Sequence, residues 1–165
     1  MEHASHNIPP IYTTDSRLLI LGSFPSVKSR EAQFFYHHPQ NRFWKLLAAL
    51  FQETVPATIA EKKEFLLRNH IAVWDVIASC EIEGSSDSSI RNVVPNDLSV
   101  ILQTAPIQQI YTNGGTAFKL YEKYCLPSTG RKAVRLPSTS PANAAYSLDR
   151  LITEWSLHLK ETLES

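Results

Sequence analysis

Apolar residues in this chain fall into two patterns, short unbroken runs and stripes at helical spacing, and the two alternate. The runs are Leu18 to Leu21, Ile71 to Val76, Ile107 to Thr112 and Ala133 to Leu136. Each is bounded by Gly, Pro, Asn or Asp nearby, the signature of short strands buried on both faces. Between them lie the stripes. Phe43, Leu46, Leu47, Leu50 and Phe51 fall at i, i+3, i+4, i+7 and i+8 and predict a helix from about Arg42 to Gln52. Thr58 and Glu61 form a capping box opening a second helix through Phe65, Leu66 and Leu67 to about Asn69. Asn96 is placed to cap a short helix through Leu102, and Asn113, Gly114 and Gly115 turn into a helix holding Phe118, Tyr121 and Tyr124. In the last helix Leu148, Leu151, Ile152, Trp155 and Leu159 share a face, with Ser140 as its predicted N-cap and Pro141 at its first position.

Strands alternating with helices imply α/β architecture: a three-layer α/β/α sandwich with a four-stranded parallel sheet in the order 2-1-3-4. The first strand and the Ile107 to Thr112 strand are then central. Residues 1–10 are expected to be a flexible tail, and Ser79 to Asn92 a polar excursion between elements. At 165 residues and 43% hydrophobic content, the chain suits one core, so residues 1–165 are expected to form a single domain.

Charge narrows the picture only partly. Sixteen basic and sixteen acidic side chains cancel, which argues against a general polyanion binder. Their distribution is uneven. Lys28, Arg30, Arg42 and Lys45 flank the loop after the first strand, and Arg131, Lys132 and Arg135 precede the loop after the fourth. A short basic track for a few phosphates and ordinary surface charge both fit this arrangement. No run approaches the roughly 20 apolar residues of a membrane span, and MEHASHNIPP lacks the pattern of an export signal. A cytoplasmic protein without membrane contact is expected. Two cysteines, Cys80 and Cys125, make neither a disulfide framework nor a metal motif, so no metal site is expected.

Parallel strands deliver the loops at their C-terminal ends to one edge of the sheet, where open α/β sheets bind ligands. Two unusual loops meet there. Gly22 to Asn41 carries GSFPS and then the aromatic and histidine cluster Phe34, Phe35, Tyr36, His37 and His38 beside Asn41; Leu136 to Asn143 reads LPSTSPAN. A helix starting at Ser140 and Pro141 would favour an anion such as a backbone phosphate, and simple capping explains the same residues.

GSFPS after the first strand, YHHPQNRFWKLL, and LPSTSPAN after the fourth resemble the uracil-DNA glycosylase superfamily. The similarity runs from Arg17 to Trp155; HPQNRFW is its sharpest part, and DVIASCEIEGSSDSSIRN adds a long matching segment. It is closest to the hypoxanthine-DNA glycosylase branch, with the mismatch-specific uracil glycosylases as near relatives. Two positions depart from the uracil-excising pattern. Phe24 stands where those enzymes hold the attacking water with Asn or Asp, and Leu136 where the most active present a base-contacting His. The hypoxanthine branch shares the first loss and is thought to use the amide that is Asn41 here.

The resemblance implies a monofunctional, cofactor-free enzyme that flips a deaminated base out of double-stranded DNA and hydrolyses its N-glycosidic bond. Asn41 would orient the water. Gly22, Ser23, Phe24, Pro25, Tyr36, Asp75 and Asn113 would hold the base, with Tyr36 or Phe35 stacking on it. Ser26, Lys28, Arg135, Ser138, Thr139, Ser140, Pro141 and Asn143 would contact the DNA backbone. Hypoxanthine is the expected base, uracil in mismatches the second choice, and a monomer the expected form. A silent damaged-DNA binder on the same fold is the reading from another class. Duller roles compete residue by residue: Asn41 as a helix cap, Tyr36 as a core aromatic, Asp75 as a carboxylate tied to backbone amides.

Overall fold

The computed structural model describes residues 2–6 and 8–164. β1 (Glu2–Ser5) leads to β2 (Leu18–Gly22), then α1 (Val27–Ala32), α2 (Phe43–Leu50) and α3 (Ile59–Arg68). β3 (Ile71–Asp75) runs on almost at once into β4 (Ile77–Ile82), and a 3-10 turn (Asp87–Ser89) separates β4 from β5 (Arg91–Pro95). α4 (Ser99–Leu102), β6 (Gln109–Asn113), α5 (Gly115–Tyr124), α6 (Leu126–Thr129), β7 (Ala133–Leu136) and α7 (Leu148–Glu164) complete the chain.

β3, β2, β6 and β7 form a parallel sheet in that order, the expected 2-1-3-4. β2 is central because all five of its residues are buried, which only a strand covered on both faces tolerates. Its side chains alternate between two cores. Leu18 and Ile20 join Phe43, Leu46, Phe65, Leu151 and Trp155 under α2, α3 and α7. Leu19 and Leu21 join Cys80, Ile82, Ile101 and Tyr121 on the other face.

That second face differs from expectation. Its cover includes a three-stranded antiparallel sheet, β1-β4-β5, beside α4 and α5. Glu2 to Ser5, expected to be tail, pairs residue for residue with Ile82 to Ser79. Ile8 is 2% exposed and its carbonyl accepts from the Trp74 indole at 3.1 Å. Met1 and Asn7, in the same expected tail, lie outside the described residues. The polar excursion is strand only at its two ends, Ser79 to Ile82 in β4 and Arg91 and Asn92 in β5; in β4 Cys80 and Ile82 are buried while Ser79 and Glu81 are only partly covered, an alternation that the many serines mask.

Other differences are local. The first loop contains α1, whose N-cap is Ser26. The capping box of Thr58 and Glu61 is present, its two bonds 3.1 and 3.3 Å long. Asn96 does not cap α4; Asp97 accepts from the Ser99 N–H instead, and the Asn96 amide donates to the Asp75 carbonyl at 3.0 Å. Among the described residues no helix is long and apolar enough to cross a membrane. Cys80 and Cys125 are buried and free.

Candidate active site at the sheet edge

A cavity of about 310 Å³ opens at the C-terminal ends of β2, β3 and β6. Its lining includes Gly22, Ser23, Phe24, Pro25, Ser26, Tyr36, Asn41, Asp75 and Asn113, together with Ser138, Thr139, Ser140 and Pro141. The expected base-holding residues are thus brought together. Beside it lies a wider, polar groove of about 800 Å³ lined by Arg135, Gly114, Gly115, Ser138, Ser140 and Asn143, and the two share Ser85, Asp87, Asn113, Ser138, Ser140 and Ala142.

Gly22 is demanded by crowding. A Cβ there would sit 2.6 Å from Asp75 Oδ1 and 3.1 Å from the Tyr36 hydroxyl, so both polar tips press onto the end of β2. Tyr36 is held in the left-handed region at φ 50, where a bulky residue is uncommon. Its ring stacks on Phe43 at 3.9 Å between centroids, and its carbonyl accepts from the Trp44 indole at 3.2 Å. One ring face is therefore spent, leaving only the other for a ligand. The Tyr36 hydroxyl is buried without a partner in hydrogen-bonding geometry. Burial and the nearby Asp75 raise its pKa, although the Asn113 amide works against this. Phe24 is 8% exposed, edge-on to the His6 ring and beneath the Arg30 guanidinium, so it is a wall of the cavity.

Asn41 sits just ahead of α2. Its Oδ1 accepts from the Phe43 N–H at 3.0 Å and from the Thr139 hydroxyl at 2.7 Å. A backbone N–H can only donate, so the atom facing it is the oxygen, and the amide group Nδ2 is what Asn41 can offer to anything else. Thr139 is fully buried, with its hydroxyl accepting from Asn113 Nδ2 and its N–H donating to Asn113 Oδ1, both at 3.0 Å. A relay thus runs Asn113 to Thr139 to Asn41. Thr139, expected at the DNA surface, instead orients the cavity's amide, and Asn113 acts mainly through Thr139.

The second loop departs most from expectation. No helix starts at Ser140 and Pro141; α7 begins at Leu148, and the Arg150 N–H bonds to the Ser147 hydroxyl at 3.1 Å. Arg42 is the physical reason. Its guanidinium donates to the carbonyls of Thr139 (3.3 Å), Ser140 (2.8 Å), Asn143 (3.1 Å) and Tyr146, turning inward oxygens that a helix would align along its axis. The anion site at a helix start therefore does not exist. Asn143 serves the same loop, donating to the Ser138 carbonyl at 3.0 Å, and Ser138 Oγ accepts from the Ser140 N–H.

The basic track thins for similar reasons. Arg42 is committed, Arg30 donates to the Gly84 carbonyl at 2.7 Å, and Arg131 to the Ile107 carbonyl at 2.6 Å. Lys28 and Arg135 remain exposed, the latter in the groove. Ser26 is occupied as the α1 cap, accepting from the Ser29 N–H at 3.2 Å. Leu136, fully buried at the end of β7, offers a base nothing polar. His38 lines the cavity with Nδ1 accepting from the Gln40 N–H, while the His37 N–H donates to Ser29 Oγ.

Sequence reasoning left out two side chains. His6, from the supposed tail, donates from Nε2 to the Ile77 carbonyl at 2.8 Å, accepts from the Ile8 N–H at Nδ1, and stands 3.8 Å from Asp75 Oδ2. Burial depresses its pKa, so it is neutral and cannot offset the carboxylate. Asp87, from the 3-10 turn, accepts from Ser23 Oγ at 3.0 Å. A single acidic residue among serines gives no signal of either kind.

Asp75 is 3% exposed, and Oδ2 is buried without a hydrogen-bond partner. Burial pushes its carboxyl up to about 7, with the charge of Asp87 adding to the rise. Its usual value is 3.8, so the folded chain holds the proton more tightly than the unfolded one. The neutral form therefore favours folding fully below pH about 4, and this advantage is lost as pH rises through about 7. Asp75→Asn, neutral at every pH, is expected to raise the melting temperature most above pH about 7, by the equivalent of a few kcal/mol, and to match the parent near pH about 4. Thermal melts across that range check this; an Asn variant less stable than the parent at high pH would mean that the ionised form is the stabilised one.

These features agree with what the chain is similar to. The family model of the uracil DNA glycosylase superfamily matches residues 9–160. A protein of Methanosarcina acetivorans named hypoxanthine DNA glycosylase is 34% identical over 148 residues, 89% of this chain and 92% of its own. One of the same name from Methanosarcina barkeri is 32% identical over 136 residues, covering 82% and 85%. A solution NMR structure of a uracil DNA glycosylase candidate from Methanosarcina acetivorans superposes with a TM-score of 0.81 at 33% identity, over 98% of this chain and 99% of that one. With a parallel sheet, a cavity at its C-terminal edge and a family match spanning most of its length, the chain belongs to the uracil DNA glycosylase superfamily.

Proposed function

We propose that the protein is a DNA glycosylase that hydrolyses the N-glycosidic bond of deoxyinosine in double-stranded DNA, releasing hypoxanthine, and that it acts as a cytoplasmic monomer. The observation carrying this reading is the Asn41 amide, locked by the Phe43 N–H and Thr139 into a cavity of about 310 Å³ walled by Phe24 and Tyr36. Both relatives named hypoxanthine DNA glycosylase support the choice of base.

Cleavage passes through an oxocarbenium-like sugar, so the water that captures it needs placing more than early deprotonation. Asn41 Nδ2 donates to the water's oxygen and leaves its second lone pair for the anomeric carbon. The backbone at Ser23 to Ser26 polarises a carbonyl of the departing base, and the free face of Tyr36 stacks on its ring. None of these steps needs a cofactor.

The test is incubation with oligonucleotides containing deoxyinosine or deoxyuridine, followed by alkali. Strand breaks at deoxyinosine, with fewer at deoxyuridine, are the expected result. Tight binding without breaks would make the protein a damaged-DNA binder instead. Lys28→Ala and Arg135→Ala should each weaken DNA binding and flatten its salt dependence by roughly one counterion, with the single-turnover rate at saturation unchanged. A lost rate with intact affinity would move these two residues from the backbone to the chemistry.

A further inference from the structure

Two carboxyl groups reach the cavity, and the reaction above uses neither. Asp75 lies on the floor, paired in register with Gly22 on the neighbouring strand. Asp87 comes in from the rim, its outer side exposed and its Oδ1 held by the hydroxyl of Ser23, the residue after Gly22. They thus meet adjacent residues of one segment, Asp75 at Gly22 and Asp87 at Ser23. Resting on the glycosylase reading, we propose that Asp75 and Asp87 act as a pair that reads the adjacent carbonyl and ring N–H of the base, Asp75 donating to the carbonyl and Asp87 accepting from the N–H.

The groups around Asp75 leave it this role. His6, from the segment after β1, spends its N–H on the Ile77 carbonyl. Arg30, from α1, donates to the Gly84 carbonyl and lies over the Phe24 ring; its Nε is buried and unpaired, and it makes no hydrogen bond to Asp75. Tyr36, from the loop before α2, brings a buried neutral hydroxyl, and Asp87 a like charge. An ionised Asp75 would be a buried charge whose Oδ2 accepts no hydrogen bond, a costly arrangement. A protonated Asp75 has an O–H in need of an acceptor, and a base carbonyl supplies one. Burial raises the Asp87 carboxyl as well, but the Ser23 hydroxyl works against that rise and its outer side is open to water, so it is the easier of the two to ionise. Two acids in unequal surroundings thereby become one donor and one acceptor.

That pattern fits what deamination does. Adenine and cytosine present an amino donor beside a ring-nitrogen acceptor; their deaminated products present a carbonyl beside an N–H. A donor–acceptor pair in this order satisfies both contacts with hypoxanthine or uracil and leaves both unpaired with the parent bases, a mismatch that binding sites reject strongly. Guanine and thymine share the deaminated edge and must be refused by shape.

The experiment is single-turnover base release from oligonucleotides containing deoxyinosine or 1-methyldeoxyinosine, which lacks the N–H, between about pH 6 and about pH 9. The parent should hold a level rate on deoxyinosine up to about pH 7 and then lose about tenfold per unit. Asp75→Asn donates from its amide at every pH, so its profile should be flat, within about tenfold of the parent plateau. Asp87→Asn keeps an oxygen for Ser23 but turns an NH2 toward the base, so deoxyinosine should slow by about 10- to 100-fold and the preference over the methylated base should shrink toward one. A parent rate that climbs through pH 7 overturns the pair without needing any variant. So does a variant that melts normally yet keeps the parent's slope or preference. A parent that releases no base at all overturns the glycosylase reading along with the pair, whereas an active parent with the wrong profile overturns the pair alone.

Discussion

Asn41→Ala will slow hypoxanthine release by about 100- to 1000-fold, the scale of deleting one well-placed polar catalytic group. Its fold will survive, because the side chain, one residue ahead of the N-cap Arg42, only accepts from the first N–H of α2, and losing a cap-like bond of this kind costs about 1 kcal/mol. Lesion-DNA affinity should change far less than turnover, since the water contact is made on the way to the transition state. Asn41→Asp sharpens the test. Its oxygens can still accept from Phe43 and Thr139, but the amide NH2 is gone, so a comparable fall isolates Nδ2 as the working group. An Ala variant that melts normally and works near the parent rate would reduce Asn41 to a cap.

Arg42→Met will cost stability and activity together. The guanidinium satisfies carbonyls of Thr139, Ser140, Asn143 and Tyr146, and hydrogen bonds from a charged donor contribute about 1.5 to 3 kcal/mol each. Because the orphaned carbonyls can partly turn to water, a net loss of about 3 kcal/mol is expected, or roughly 10 °C in melting temperature. The rate should fall at least about tenfold, because Thr139 would no longer be fixed opposite Asn41. Arg42→Lys should rescue little, since a point charge cannot reach what the planar fork spans. Scanning calorimetry beside the rate assay decides it: a melt within about 2 °C of the parent would show that the second loop holds itself.

The sequence patterns that could be read were those set by one dominant force. β2 announces itself because burial on both faces allows only apolar residues, and α2 and α7 because a single apolar stripe meets a single core. The site was legible as a gathering of two loops, since parallel strands bring their C-terminal ends together. What stayed hidden depends on contacts between distant residues. Glu2 to Ser5 has no strand-like run, and only its partner β4 makes it a strand. Ser140–Pro141 carries a sound helix-start signal, overruled by an arginine 98 residues earlier. His6 and Asp87 are ordinary residues until the fold brings one beside Asp75 and the other beside Ser23.

If Asn41 acts as proposed, the relay from Asn113 through Thr139 to Asn41 also sets when activity can begin during synthesis. By the time Asn113 has left the ribosome, Tyr36, Asp75 and the cavity floor already exist in the chain. Asn41, however, lacks the hydroxyl that fixes its amide until Thr139 has followed, 98 residues behind it. The Trp155 indole, donating to the Pro137 carbonyl at 2.9 Å, anchors that loop later still. A nascent chain can therefore fold much of its sheet while the Asn41 amide remains unaimed, and on the proposed mechanism the competence to cut a glycosidic bond arrives with the last helix.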